Sequence, residues 1–393
     1  MRIPAGVRTT TLADHSNTDG NIGDELEKYA ESKFNTGHWT ERTRLDYESV
    51  FETFVDIIGN KRVSAITESD ISEYLQAIDF LPPNRKKNPE FCNLNAAAAV
   101  SRNKLKGGTT ISVRSKNKYI ERLAGPFETF VTRGYCRYNY FKHADRYKIT
   151  RADRLAARDP FSISDLETIF EHEASVELLS KNLHKPSRPW GLLIALYTGA
   201  RAEEIFSLAL DDIQLDGTTL FFDIRDREGH SRVKTDAAVR AVPVHPNLIE
   251  LGFEKYVQKV RKVQSDTECP MLFPDIKKSA VHGWSRETPR WYNEQFLPKI
   301  GVKVDHKKVF HSFRHTISDR FKRDWVANQL MVSSYLGHED DYGKLPEWKK
   351  GYGSRFSPSE LVEIAKLIKF DLDFKKLKKK CLDKLIVRRK RTS

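Results

Sequence analysis

The sequence predicts a mainly α-helical protein with a small antiparallel β-sheet in its second half, and three observations carry that expectation. Between residues 23 and 148 apolar residues recur at intervals of three and four, the stripe of amphipathic helices. Two short β-rich runs, Leu-Phe-Phe-Asp-Ile at 220–224 and Arg-Ala-Val-Pro-Val at 240–244, flank a polar stretch that reads as further strand and turn. The helical pattern then resumes from Pro246, and no self-similar period of about 20–50 residues marks a solenoid.

Taken in order, residues 1–22 are polar and rich in Thr, Asp, Asn and Gly, which predicts an extended or disordered arm. From Tyr47 the positions Tyr47, Val50, Phe51, Phe54, Val55 and Ile58 line one helical face, and Gly59-Asn60 is a natural stop. A second short helix is expected over 69–78. Residues 82–109 break the pattern with Pro82-Pro83, Arg85-Lys86-Lys87, Pro89 and Gly107-Gly108, predicting a long loop around an Ala-rich piece. Thr110 or Ser112 then caps a helix running through Tyr119, Ile120, Leu123, Phe127, Phe130 and Val131 to Gly134. Arg114, Lys116 and Lys118 at its start are candidate phosphate contacts, though each alone also fits a solvated helix face. Residues 150–160 lack an apolar period and read as a linker between a helical domain (23–149) and a second domain (161–370). That domain opens on a helix capped near Ser162, and Trp190 to Leu196 form an apolar helix ending at Thr198-Gly199. A basic tail, 371–393, closes the chain.

Composition narrows the partners. The chain has 393 residues, enough for two or three domains, and 39% are hydrophobic, enough to build cores. A net charge of +13 suits a polyanion, because each neutralised phosphate releases counterions, but it also suits an ordinary basic protein. Cys92, Cys136, Cys269 and Cys381 lie far apart with no Cys-x-x-Cys pair, which argues against a zinc module or disulfide framework and for reduced thiols. The first residues carry no apolar signal-peptide core, and no apolar run is long enough to span a membrane. The expected location is the cytoplasm, at the nucleoid.

Four islands carry the chemistry: Thr198-Gly-Ala-Arg201-Ala-Glu-Glu204, Val233-Lys234-Thr235, His311-Ser-Phe-Arg314-His315 and Leu336-Gly-His338. Transfer of a phosphodiester to a side chain needs donors around the non-bridging oxygens, a nucleophile in line, and a proton source for the leaving oxygen. Arg201 and Arg314 suit the first task, since the guanidinium fork meets two phosphate oxygens at once. Lys234 is the candidate proton donor, because desolvation beside other cations lowers a lysine pKa. His311, three residues before Arg314 and so on the same helical face, can bond the phosphate and help take a proton. Tyr352, downstream, can serve as the covalent nucleophile. Each piece alone is commonplace; the ordered set is much more specific. His311 and His315 lack the intervening Glu of a zinc His-Glu-x-x-His helix, and the reaction asks for no metal or cofactor.

These motifs, with Arg-Ala-Val-Pro-Val after Val-Lys-Thr and a Tyr-Gly pair after Leu-Gly-His, resemble the tyrosine recombinases, or phage-type integrases, over roughly 160–370. The helical layout of 23–148 resembles the family's core-binding domain more loosely. The resemblance implies an α/β tyrosine-recombinase catalytic domain and a helical core-binding domain that grip duplex DNA. It implies a catalytic pocket of Arg201, Lys234, His311, Arg314 and His338, with Glu204 supporting it. Tyr352 would form a 3′-phosphotyrosine and leave a 5′-hydroxyl. A homotetramer on double-stranded DNA at specific sites is implied too, with room for an accessory directionality factor. The implied biology is integration or excision of a mobile element.

The gap from His338 to Tyr352 is longer than the family commonly shows, and its insert, 339–351, holds a rival nucleophile, Tyr342. The Gly-Tyr-Gly setting before an apolar helix favours Tyr352. Residues 1–22 are too short for the full arm-binding domain of larger members. The basic tail fits a neighbouring subunit, DNA backbone or solvent equally. The rival functions are a recombinase fold that binds DNA without cutting it, a metal nuclease using the His338-Glu-Asp-Asp341 run, and a type IB-like topoisomerase.

Overall fold

A computed structural model describes residues 19–155, 158–227, 238–303, 305, 307–323, 328–337 and 356–388. Lys234, His338, Tyr342 and Tyr352 lie outside the described residues, as do the 339–351 insert, most of the N-terminal arm and the end of the tail. The chain divides into two compact units, Met1–Leu155 and Ala156–Ser393.

The first unit is helical: α1 (Ile22–Asn35), α2 (Glu41–Ile58), α3 (Glu68–Ala77), α4 (Ala96–Lys106), α5 (Val113–Thr132) and the short α6 (Arg151–Leu155). The apolar stripe of the sequence is the buried face of α2, whose Val50, Phe51, Phe54 and Ile58 enter the core. Gly59 ends α2 at φ 81°, a conformation costly for any side chain. Thr67 closes the start of α3 with a reciprocal capping box to Asp70, and Ser112 rather than Thr110 caps α5. At the centre Phe54, Tyr74, Phe127 and Phe141 meet edge to face, with centroids 4.9–5.9 Å apart.

The 82–109 stretch, expected as a long loop, is held in place by its polar side chains. Asp56 accepts from the Ala96 N–H at 2.7 Å, Asn103 bridges the Phe80 and Thr109 carbonyls, and Arg85 donates to the Leu94 carbonyl. Backbone groups that a sheet or helix would satisfy are satisfied here by Asn, Asp and Arg.

The second unit contains α7 (Ile163–Phe170), α8 (Glu173–Ser180), α9 (Ser187–Thr198), α10 (Ala202–Phe206), strands β1 (Ile213–Asp216), β2 (Thr219–Ile224) and β3 (Arg240–Pro243), then α11 (Pro246–Glu250) and α12 (Phe253–Val263). After these come α13 (Glu287–Trp291), which runs on through a π-turn into α14 (Leu297–Lys299), then α15 (Ser312–Arg323), α16 (Gln329–Leu336), α17 (Pro358–Lys366) and α18 (Lys375–Lys380). The sheet is antiparallel in the order β1-β2-β3, with Phe222 opposite Val242 and Ile224 opposite Arg240. β1, which the sequence reading did not identify, pairs Ile213 with Phe222. Helix α9 is buried at every position except Arg188 and forms the axle of the unit, with α10 and α15 packed on it. Helix α17 lies on β2 and β3, and its first turn is tied to the β1–β2 turn by Ser359 Oγ donating to Asp216 at 2.7 Å.

The segment from 371 onward corrects one expectation. It is no solvated tail as far as Val387: Phe374, Leu377, Cys381, Leu382, Leu385 and Val387 sit in the unit's own core. The Ile386 N–H donates to the Leu183 carbonyl at 2.9 Å. Lys376 and Lys380 pair with Glu173, so basic residues that read as a charge run are the outer face of a short amphipathic helix. Composition hid this because lysines outnumber the apolar residues between them.

Candidate active site

The Thr-Gly-Ala-Arg island is a helix-to-helix corner. Thr198 Oγ1 donates to the Ile194 carbonyl at 2.6 Å and accepts from the Ala200 N–H at 3.1 Å, closing α9. Gly199 makes the turn at φ 59°, and a Cβ there would stand 3.0 Å from Leu336 and 3.3 Å from Ile317. Arg201 then occupies the N-cap of α10. Glu204, in the first turn of α10, accepts from the Arg201 N–H at 2.9 Å and from Arg201 Nη1 at 2.6 Å. The carboxylate thus orients the guanidinium twice, once through its own backbone.

The His311-Ser-Phe-Arg-His island opens α15. Ser312 Oγ accepts from the Val309 N–H, and Thr316 takes the Phe161 N–H at 2.8 Å, fixing the helix start from the buried side. Phe313 fills the core. With that register, Arg314 is buried and reaches the first corner, where its Nη1 donates to the Gly199 carbonyl at 2.9 Å. His311 and His315 meet edge to face at 5.1 Å.

The third described piece is the end of α16. Gly337 takes φ 61°, and its carbonyl receives Arg201 Nη2 at 3.4 Å and Arg314 Nη2 at 3.5 Å. Two guanidinium groups from distant parts of the chain therefore converge on one carbonyl, next to the position of His338. Each guanidinium has five N–H donors, and these contacts engage only the two Nη nitrogens, so donors remain for an anion.

A fourth charge was missed by the sequence reading. Arg240, the first residue of β3, is buried, and its Nη2 donates to Glu204 at 2.9 Å. Arg201, Arg240 and Arg314 therefore surround one carboxylate, three positive charges against one negative, a net excess of two. The signal was present: a charged residue on the inward side of a short apolar strand needs a buried partner.

The field is visible in the titration of the site. Burial pushes Arg314 down to about 9, helped by Arg201 and Arg240, so it stays charged at neutral pH. Burial and then His315, Arg314, Arg158 and Arg201 push His311 down to about 4, so its ring is neutral there. Burial lowers His315 as well, with Arg158 and Arg314 adding to it. Burial would raise the Glu204 carboxyl, but Arg240 and Arg201 outweigh it and hold it below the ordinary range.

Of the DNA-contact candidates in the first unit, Arg114 and Lys118 are exposed at the start of α5. Lys116 is instead mostly covered and donates to Asp79 at 2.7 Å. Among the described residues, no group of three or more His, Cys, Asp or Glu side chains could hold a metal ion. Nor, among them, is any helix long and apolar enough to cross a membrane.

Residues 165–342 match the phage integrase family. A search of curated proteins finds no match. Among solved structures, lambda integrase (residues 75–356, a dimer bound to a COC′ core site) aligns with 84% of this chain and 100% of its own at 12% identity, TM-score 0.50, a likeness of fold. The Tn1549 transposon integrase in complex with a circular intermediate DNA aligns with 83% of this chain and 93% of its own at 15% identity, TM-score 0.48. The XerH site-specific recombinase bound to difH substrate aligns with 82% of this chain and 80% of its own at 17% identity, TM-score 0.45. Arg201, Glu204, His311 and Arg314, gathered at one corner of the second unit, all fall within the residues 165–342 that match the phage integrase family, and the fold around them is like that of lambda integrase.

Proposed function

We propose that the protein is a site-specific DNA recombinase, an integrase that cleaves and rejoins duplex DNA through a 3′-phosphotyrosine, without metal or nucleotide cofactor. The observation that supports this most is the net-positive corner where Arg201 and Arg314 share the Gly337 carbonyl. A partly buried excess of positive charge is costly unless an anion completes it, and a scissile phosphate is the anion that the match to the phage integrase family suggests.

In this reading Arg201 and Arg314 hold the non-bridging oxygens as their charge grows. The phenolic oxygen of Tyr352 attacks phosphorus, the Tyr–P bond forms and the bond to the 5′-oxygen breaks. The phenol proton passes to His311, whose neutral ring at pH 7 can accept it. Lys234 supplies the proton to the leaving 5′-oxygen, and His338 adds a further phosphate contact. Rejoining runs the same steps backward, with the phosphotyrosine storing the bond energy. The helical first unit supplies additional DNA contacts, Arg114 and Lys118 among them, made mainly to the backbone. Four protomers at two sites exchange strands, which suits the movement of a mobile element.

The test is a nicked suicide substrate drawn from the DNA flanking the protein's own gene. A covalent protein–DNA complex is expected in excess EDTA and is expected to vanish in Tyr352→Phe. Persistence in Tyr352→Phe with loss in Tyr342→Phe would transfer the nucleophile to Tyr342, and dependence on added Mg²⁺ would refute the mechanism.

A further inference from the structure

Arg240 has no part in the chemistry described above, yet its side chain bonds to three separate chain segments around the site. Its Nη2 donates to Glu204 Oε2 at 2.9 Å, and Glu204 in turn holds Arg201. Its Nε donates to the Tyr335 carbonyl at 2.9 Å, two residues before Gly337 and three before His338. Its Nη1 donates to the Ala238 carbonyl at 2.8 Å, on the returning end of the polar stretch that contains Lys234. A Cβ placed on Gly337 would come within 2.7 Å of Arg240 Nη1, so the guanidinium also packs directly on that turn.

One planar, permanently charged group thus makes three differently directed bonds to three chain segments, each contiguous with a different candidate catalytic residue. A lysine has three donors, but they radiate from a single nitrogen and cannot reach acceptors that are spread around Nε, Nη1 and Nη2. The bonds leave Arg240 buried with its side chain 3% exposed, so it has no access to DNA.

We infer that Arg240 is a positioning residue for strand cleavage: it locks the Arg201–Glu204 pair, the end of the Lys234 segment and the turn before His338 into one mutual arrangement. The inference rests on the recombinase reading. It concerns the rate of the chemical step in DNA already bound, and not DNA affinity.

The experiment compares Arg240→Lys with the wild-type chain. Arg240→Lys keeps the positive charge beside Glu204, so no buried carboxylate is left without a counter-ion. Fold is checked by near-UV circular dichroism and melting, DNA affinity by fluorescence anisotropy, and covalent-complex formation by single turnover at saturating suicide substrate. Affinity is expected to stay within about threefold while the single-turnover rate falls by about 100-fold, the cost of misplacing reacting groups by an ångström. A folded Arg240→Lys that cleaves within about threefold of wild type at saturation overturns the inference.

Should Arg240→Lys fail to fold, Glu204→Gln combined with Arg240→Gln removes both buried charges together. Its rate is then set against that of Glu204→Gln alone. A further loss of about tenfold or more is expected, because the bonds to Tyr335 and Ala238 are also gone, and equal rates overturn the inference. A wild-type chain that forms no covalent complex refutes the recombinase reading itself and takes this role with it; a wild-type chain that cleaves, with variants that cleave equally, refutes the role alone.

Discussion

Replacing Glu204 by glutamine tests the electrostatic account of the site most directly. The Glu204 side chain is 4% exposed and that of Arg240 is 3% exposed, so the pair is screened by almost no water. Glu204 accepts from Arg240 Nη2 at 2.9 Å, from Arg201 Nη1 at 2.6 Å and from the Arg201 N–H at 2.9 Å. Breaking a buried ion pair from one side costs about 3–5 kcal/mol, because the remaining charge stays buried. Glutamine keeps the shape and one acceptor oxygen, which places Glu204→Gln near the lower end, about 3 kcal/mol. For a unit of this size, each kcal/mol moves the midpoint by roughly 2–4 °C, so the melting of the second unit should drop by about 6–12 °C at pH 7.

The pH dependence supplies an internal control. Because the folded carboxyl lies below the ordinary value of about 4.3, its stabilisation is fully present above that pH. It is lost as pH falls through the folded value, where wild-type Glu204 takes up its proton. The gap between wild type and Glu204→Gln should therefore hold from pH 7 to about 4.5 and close below that. Calorimetry of the full-length protein across that range measures it. A gap under about 2 °C at pH 7, or one that stays constant into strong acid, would refute the idea that Glu204 anchors the two arginines as an ion.

Two other outcomes follow from the packing and titration of the same unit. Gly191 lies inside α9, where an added Cβ would stand 2.7 and 2.8 Å from ring carbons of Phe206. Gly191→Ala should cost about 1–3 kcal/mol by overpacking, read as a lower midpoint in urea unfolding with an unchanged slope. An NMR titration of the His311 ring should show it neutral through the physiological range, protonating only near 4 without DNA. Bound DNA should move that midpoint upward, because a phosphate anion then stands among the cations that depress it. A free-protein midpoint near 6.5 would contradict the crowded cationic setting.

Much of this molecule is legible in residue order because local physics dominates there. The stripe of α2 and the caps at Ser112 and Ser162 are properties of neighbours within a turn, and so are the stop at Gly59 and the corner at Thr198-Gly199. They form much as periodicity and capping chemistry predict. The arginine and histidine islands could likewise be recognised as phosphate-binding chemistry, since residue type sets charge and donor geometry wherever the chain later places them.

Other features depend on partners far along the chain. The lysine-rich segment after residue 371 joins the core because α8 and Leu183 lie beside it, which no local composition reveals. Lys116 is drawn to Asp79, 37 positions away, so an apparent phosphate contact is mostly committed inside the protein. Arg240 looks like an ordinary polar residue in a short strand until folding sets it against Glu204 and the Tyr335 carbonyl. Residue identity thus specified which charges are available, whereas which are buried, paired or turned toward a ligand was left to long-range packing, because desolvation and hydrogen bonding act between atoms that only the fold brings together.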